Sequence, residues 1–397
     1  MSLERAKAAP LKLAVLRAQE SYWLPELLAP CIQNTEVLSV QFAWAIDLER
    51  ILPDFPQSMP SLRSLTLESE KDWDRSTDPF ESFAPTLKYI SLDSIPLYPS
   101  LRKIRTLTEL ILHDYKFHLQ LDTLLDFLEE NDSLTRATIG IDFIEPSLCI
   151  SQRRVAIKNR LRHLVLTCPG LEESRALISN ISLSRGATLD VTCGWTGSGV
   201  TVNHLLSGIS TSHLSNLLSP TTVEHCVDTG TVQLFGPNGI ALFRVYSRSD
   251  TPFTEFHRLP LTSIREFRLD SCGRESIYPP LGPEVFHHLP SFPALQTFTI
   301  RSDGDLSYVL SPLLSDPSTS PSLRTLGFRN CILTEEFMER LTRFASDRKN
   351  TASAWLHRVV IVHREGKSPS ITSIRELEEH VPVVDVRIAA ALPKDLT

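Results

Sequence analysis

The chain has 397 residues and a formal net charge of −7, with 42% apolar and 22% charged residues. This is the make-up of an ordinary folded chain in water, and its mild acidity, with no run of five basic residues, argues against general nucleic-acid binding. No apolar run approaches the ~20 residues needed to span a bilayer, and Met1–Ala9 is charged and lacks the apolar core of a signal peptide.

Met1–Ala9 reads as a short helix ended by Pro10. Leu11-Lys-Leu13-Ala-Val15 alternates apolar and polar residues, a strand signal. Pro25 and Pro30 break up the next segment. From Val37 a three-point apolar pattern recurs: Val37, Val40 and Phe42; Leu62, Leu65 and Leu67; Leu87, Ile90 and Leu92; Leu107, Leu110 and Leu112; Leu134, Ala137 and Ile139; Leu161, Leu164 and Leu166. Weaker copies start at Gly186 (Leu189, Val191) and Leu214 (Leu217). Later copies start at Ile264 (Phe267, Leu269), Leu295 (Phe298, Ile300), Leu323 (Leu326, Phe328), Leu356 (Val359, Ile361) and Val383 (Val386, Ile388). Successive starts lie 20 to 33 residues apart, except for one gap of 50.

The clearest copy, Leu323-Arg-Thr-Leu326-Gly-Phe328-Arg-Asn-Cys331-Ile-Leu333, fits L-x-x-L-x-L-x-x-N/C-x-L at every fixed position. With this spacing the chain resembles a leucine-rich repeat array. The expected fold is α/β: an irregular leucine-rich repeat solenoid of about thirteen units, with a curved parallel sheet on the concave side and helices and loops on the convex side. Leu121–Asn131 and Thr334–Arg348 read as amphipathic return helices, the second capped by Thr334 with Glu335 and Glu336 in its first turn. Ser373–Val381 reads as a shorter one. The Pro-rich stretches Asp93–Ser100 and Asp270–Pro283 read as irregular returns, and together these suggest an uneven arc. Within the long gap, Thr231–Phe235 and Ile240–Tyr246 flank Gly236-Pro-Asn-Gly239, which predicts an inserted β-hairpin that either continues the sheet or projects from it. The expected organisation is one body over 1–397, with a cap over 1–36, repeats over 37–220, the hairpin insertion over 221–260 and repeats over 261–397.

Catalytic and metal signatures are sparse. Seven cysteines form no CxxC pair, so reduced thiols in a cytoplasmic or nuclear protein are expected. Cys272 and Cys331 stand at the Asn/Cys position of the repeat, which gives them a turn role. Cys168 and Cys193 follow their strands equivalently and would be ladder neighbours, as a reduced pair, a disulfide or a metal pair. Gly194-Trp-Thr-Gly197-Ser-Gly199 lacks the spacing of a phosphate loop, Ser100-Leu-Arg-Lys103 has no companion motifs, and His287-His288 has no ligand partners at helical spacing. HExxH and G-x-S-x-G are absent. No enzyme activity, cofactor, metal or membrane association is expected. The remaining surface is the sheet face, where alternate strand residues point outward. It carries Glu68, Tyr89, Asp93, Glu109 and His113 early, Arg136, His163 and Val165 in the middle, and Arg268, Arg301, Arg329 and Arg358 late, with Glu266 and Asp270 opposing. Tyr89, His163, Arg268, Arg301, Arg329 and Arg358 are the candidate residues for binding another protein, the arginines toward acidic or phosphorylated groups.

Ala9-Pro-Leu-Lys-Leu13, Pro60-Ser-Leu-Arg-Ser-Leu-Thr-Leu67, Thr211-Ser-His-Leu214 and Pro260-Leu-Thr-Ser-Ile-Arg-Glu-Phe-Arg-Leu269 carry a second resemblance. With the hairpin before Pro260, the chain resembles the leucine-rich region of basidiomycete fungal F-box-like proteins. That resemblance implies a substrate-holding role behind an F-box that docks on the Skp adaptor of a cullin-RING ubiquitin ligase. Leu24-Pro-Glu26-Leu-Leu28 echoes the phrase that opens an F-box, but Pro30 and the strand-like Val37–Phe42 follow too soon to complete one. Association with the Skp–cullin ligase is therefore expected only where an F-box is encoded ahead of Met1, and a stand-alone scaffold is the alternative.

Overall fold

The structure is a computed structural model. It describes residues 10–18, 32–42, 59–69, 86–114, 121–141, 155–156, 160–168, 171–184, 186–193, 214, 220–226, 231–246, 261–271, 292–304, 306, 310–316, 318, 320–350, 355–363 and 368–388. The first helix, Leu217, the glycine-rich loop, Cys272 and His287-His288 lie outside these residues. The chain forms two compact units, the first of 1–196 and 208–216, the second of 197–207 and 217–397. Both are mixed α/β units built on mostly parallel sheets.

The strands are β1 (Leu11–Ala18), β2 (Thr35–Phe42), β3 (Ser64–Ser69), β4 (Tyr89–Asp93), β5 (Glu109–Asp114), β6 (Arg136–Ile141), β7 (Val155–Ala156), β8 (His163–Cys168), β9 (Ile181–Ser182) and β10 (Thr188–Cys193) in the first unit. Apart from the short parallel pair β7–β9, they line up in sequence order as one parallel run, β1-β2-β3-β4-β5-β6-β8-β10. Period-two alternation puts Leu65, Ile90, Leu110, Ala137, Leu164 and Leu189 in one buried row, and Leu67, Leu92, Leu112, Ile139, Leu166 and Val191 in the next. Helix α1 (Leu121–Glu130) covers these rows with Leu121, Leu124, Leu125, Phe127 and Leu128. A second helix, α2 (Leu171–Asn180), was not marked by the sequence pattern. Both returns end on a buried asparagine whose amide donates to the carbonyl four residues back, Asn131 to Phe127 at 2.9 Å and Asn180 to Ala176 at 2.7 Å.

The second unit opens with β11 (Thr222–Cys226), β12 (Thr231–Phe235) and β13 (Ala241–Tyr246), paired antiparallel as a three-strand meander. The expected hairpin is the β12–β13 half, turned through Gly239 at φ +70°, and it continues the sheet. From β11 the ladder is parallel through β14 (Glu266–Ser271), β15 (Thr297–Ser302), β16 (Thr325–Arg329), β17 (Arg358–His363) and β18 (Val383–Ile388). Helices α3 (Ser311–Ser315), α4 (Glu335–Asn350) and α5 (Ile371–Glu378) return the chain. Thr334 Oγ1 accepts the Phe337 N–H at 3.2 Å, the cap expected for α4. Phenylalanine replaces leucine in much of this core. Phe328 meets Phe337 edge-on at 5.4 Å, and Phe267 touches Phe292 and Phe298, each at 5.6 Å. Arg348, fully buried, donates to the Ser320, Pro321 and Leu323 carbonyls that form the turn before β16.

One backbone device repeats ahead of the strands. A carbonyl two residues before the first buried strand position accepts two consecutive N–H groups from the next repeat. Arg63 O takes Lys88 and Tyr89, Lys88 O takes Thr108 and Glu109, Thr108 O takes Thr135 and Arg136, and Thr135 O takes Arg162 and His163. In the second unit Thr221, Arg265, Gln296 and Arg324 accept in the same way. Hydroxyls one residue earlier reinforce the step: Thr86 donates to Leu62 O at 3.0 Å and Thr106 to Leu87 O at 2.8 Å. At the far end, Ser94 and Asn330 occupy equivalent positions with φ of 55° and 61°, and their N–H groups donate to His113 and Val362 of the following strands, both at 2.7 Å.

Three sequence expectations shift. In β2 the buried residues are Thr35, Leu38 and Val40, so that copy starts at Thr35, and Val37 pairs with outward Ser64. In β18 the buried start is Val381; Val384 and Val386 lie opposite Val359 and Ile361, while Val383 and Ile388 are 48% and 66% exposed. At the weak copy the buried residue is Ala187, and Gly186 is exposed. Leu214 forms an isolated parallel bridge with Leu183, the Leu217 expected to follow it lies outside the described residues, and a further repeat stands at Pro220, Val223 and His225. His225 is fully buried between Val232 and Leu269 on the neighbouring strands.

Two stability predictions follow from these positions. Asn330 holds a left-handed conformation that costs a β-branched residue about 1–2 kcal/mol. Asn330→Val is expected to lower the thermal midpoint, whereas Asn330→Gly leaves it within a degree or two, read by circular dichroism melts. Burial lowers the His225 pKa from 6.5 to about 3. On acidification the unfolded chain therefore takes up this proton first, so stability is fully present above pH 6.5 and falls from there toward pH 3, by up to ~1.4 kcal/mol per pH unit. His225→Leu is expected to flatten this slope in denaturant melts recorded from pH 7 to pH 4.

Candidate protein-binding face

Three outward rows run across each parallel ladder, on the face opposite the buried leucines. In the first unit the row nearest the strand starts holds Tyr89, Glu109, Arg136, His163 and Thr188 in direct register. Tyr89 and His163 are half-buried there. Arg136 lies 3.8 Å from Glu109, and His163 Nε2 lies 3.6 Å from Asp190. The row nearest the strand ends holds Gln41, Glu68, Asp93 and His113, with the Gln41 amide donating to Glu68 at 3.1 Å.

In the second unit three of the four late arginines are held by carboxylates. Arg268 donates to Glu266 at 2.8 Å and lies 3.6 Å from Glu224 on β11; the Glu266 bond raises its pKa. Arg301 donates to Asp270 at 3.2 Å. Arg358 donates to Asp385 at 2.9 Å, and Arg387 donates to the same carboxylate, so Asp385 is pulled down to about 2 chiefly by its Arg387 and Arg358 bonds. Arg329 is exposed, and no side chain among the described residues neutralises it. Between these pairs the middle row is uncharged: Thr299, Gly327 and Val360 stand side by side. A Cβ at Gly327 would lie 2.9 Å from Thr299 Oγ1, so the threonine fills the space that the glycine leaves.

A second feature sits at the strand starts of the first unit. Thr135, Arg136, Arg160, Arg162 and His163 line a wide, open depression of about 670 Å³. The Arg162 and His163 N–H groups both donate to Thr135 O, and Thr135 Oγ1 donates to Thr108 O at 3.0 Å, so its floor is pinned by the ladder. Arg136 and His163 were expected on the outward face. Arg160 and Arg162 were not, because they precede the strand and fall outside its alternation. Their signal in the sequence is Arg160-Leu-Arg162-His163, one repeat after Arg136.

The Cys331 thiol is buried, donates to Arg329 O at 3.2 Å, and is pushed up to about 12 by burial, which fits the turn role expected for it. Cys168 and Cys193 are ladder partners, as their spacing suggested. Among the described residues, no group of three or more His, Cys, Asp or Glu side chains is placed to hold a metal ion, and no helix is long and apolar enough to cross a membrane.

The face pairs are exposed ion pairs, worth ~0–1 kcal/mol each. A double-mutant cycle on Arg301→Ala and Asp270→Ala is expected to give a coupling in that range that fades in 0.5 M salt, because the Arg301 side chain is 42% exposed. A coupling of several kcal/mol would mean that the face is locked.

Neither a family model nor a curated protein matches the sequence.

Proposed function

We propose that the chain is a protein-binding module, an irregular leucine-rich repeat array whose open sheet face is the docking surface. The observation that carries this reading is the register of that face. Tyr89, Glu109, Arg136 and His163 stand in one row, contributed by four successive parallel strands, so a partner can touch several repeats along a line. None of these side chains belongs to the core, and each can vary without disturbing the ladder. Arg268, Arg301, Arg329 and Arg358 supply the polar contacts of the later strands. Because three of them pair with carboxylates that are themselves partly open to solvent, a partner acid can exchange for an internal one at low cost. The F-box-like phrases in the sequence favour the receptor arm of a ubiquitin ligase as the setting, with a stand-alone scaffold as the alternative.

A photo-crosslinking residue placed at Tyr89 or Arg329 is expected to capture the same partner from cells, while one at Asp122 on helix α1 captures none. Arg301→Glu, Arg329→Glu and Arg358→Glu together are then expected to weaken that partner at least ~tenfold, roughly the loss of one charge-assisted contact. Unchanged affinity would remove the arginines from the interface. Recovery of the Skp adaptor with the cellular protein supports the ligase setting, and its absence from that preparation supports the scaffold.

A further inference from the structure

The depression at the starts of β6 and β8 gathers cations from two repeats. On the open face, Arg268, Arg301 and Arg358 meet carboxylates of neighbouring strands. At the depression, three arginines and one histidine share the lining, Arg136, Arg160, Arg162 and His163. Two of these have a nearby carboxylate. Arg136 lies beyond hydrogen-bond distance of Glu109, at 3.8 Å with 62% of its side chain exposed, and His163 lies 3.6 Å from Asp190. Arg160 and Arg162 are exposed and are neutralised by no side chain among the described residues. Among the described residues, the site thus offers two guanidinium charges with no carboxylate beside them, and a third close by.

We infer that this depression binds a phosphate monoester carried on a side chain of the partner, a phosphoserine or phosphothreonine. The inference rests on the protein-binding reading above and names the chemistry that one end of the module selects. A carboxylate carries one charge and satisfies one guanidinium fork. A phosphate monoester carries about −1.5 to −2 at pH 7 and three acceptor oxygens, which matches Arg160 and Arg162 together and leaves an acceptor for Arg136. The volume, about 670 Å³, exceeds what a lone phosphate fills and admits the side chain and flanking backbone that carry it. The Thr135 hydroxyl is already committed to Thr108 O, so its proton is not offered to the ligand. Extended polyanions fit poorly. Glu109 stands beside Arg136 on one side and Asp190 beside His163 on the other, so a second phosphate along the row meets a carboxylate in either direction.

The test is calorimetry on the whole chain with three probes: inorganic phosphate, a capped five-residue phosphoserine peptide, and the same peptide unphosphorylated. The phosphopeptide is expected to bind at least ~tenfold more tightly than its unphosphorylated twin, and Arg160→Glu with Arg162→Glu is expected to abolish that difference. Both positions are exposed, so the fold tolerates the change, and circular dichroism checks that it has. Arg340→Glu, on helix α4 of the second unit, is expected to leave the phosphopeptide affinity unchanged. Equal affinity for inorganic phosphate and phosphopeptide, both lost in the double variant, would keep the anion site but overturn the side-chain source in favour of a free phosphate. No binding of either probe, or binding that survives the double variant, would overturn the site. A partner crosslinked from Tyr89 and still captured after phosphatase treatment would leave the protein-binding reading standing without it.

Discussion

The shared carbonyl ahead of eight of the strands is the constraint on which the rest of both units depends. One C=O accepts two successive N–H groups of the following repeat, and the same step recurs at Arg63, Lys88, Thr108, Thr135, Thr221, Arg265, Gln296 and Arg324. It uses only main chain, so side chains at these residues are free to be arginine, lysine, threonine or glutamine. It also fixes where each strand begins, and strand alternation then decides which residues are buried. The return between one step and the next is fixed only at its ends. That is why a 3-10 turn at Pro99–Lys103 and a sixteen-residue helix at Glu335–Asn350 can serve the same purpose, and why the spacing varies as widely as it does.

The sequence was most legible where leucine marks both the turn and the strand. The copies at Leu62, Leu87, Leu107, Leu134, Leu161, Leu295, Leu323 and Leu356 place their residues as the pattern predicts. At β2 and β18 the face was correct and the frame was not. Thr35-Glu-Val-Leu-Ser-Val-Gln-Phe42 and Val381-Pro-Val-Val-Asp-Val-Arg-Ile388 alternate over their whole length. A shift of two residues keeps the strand face but misplaces the residue that anchors the turn, so Val37 and Val383 took the role of Thr35 and Val381. Strand β11 was hidden for another reason. Its second core position is His225, a residue no apolar pattern selects, and its first anchor is Pro220. Burial keeps that imidazole neutral, which lets it stand between Val232 and Leu269 at the cost of sensitivity to acid.

The outward direction of the arginines was legible and their partners were not. Strand parity is a local property, whereas Asp270 and Arg301 meet across 31 residues of chain and Arg358 and Asp385 across 27. Only the register of neighbouring strands brings them together. The basic depression was harder still to read. Its residues come from two repeats, and two of them lie before the strand, where the side-chain direction follows from the ladder step rather than from alternation.

The two charged surfaces place different demands on a partner. On the open face of the second unit, a bound acid competes with Asp270, Glu266 or Asp385, each already next to the arginine it holds. Binding there exchanges one exposed ion pair for another and gains little net energy, so affinity has to come from the uncharged row of Thr299, Gly327 and Val360 and from Tyr89-like contacts elsewhere. At Arg160 and Arg162 no side chain among the described residues competes with a bound anion. Attraction there is long in range at low salt, and a doubly charged group gains more from it than a singly charged one. A module with both surfaces would use the sheet face for shape and the depression for charge, and the second surface is the one through which a change in the partner's charge alters affinity most.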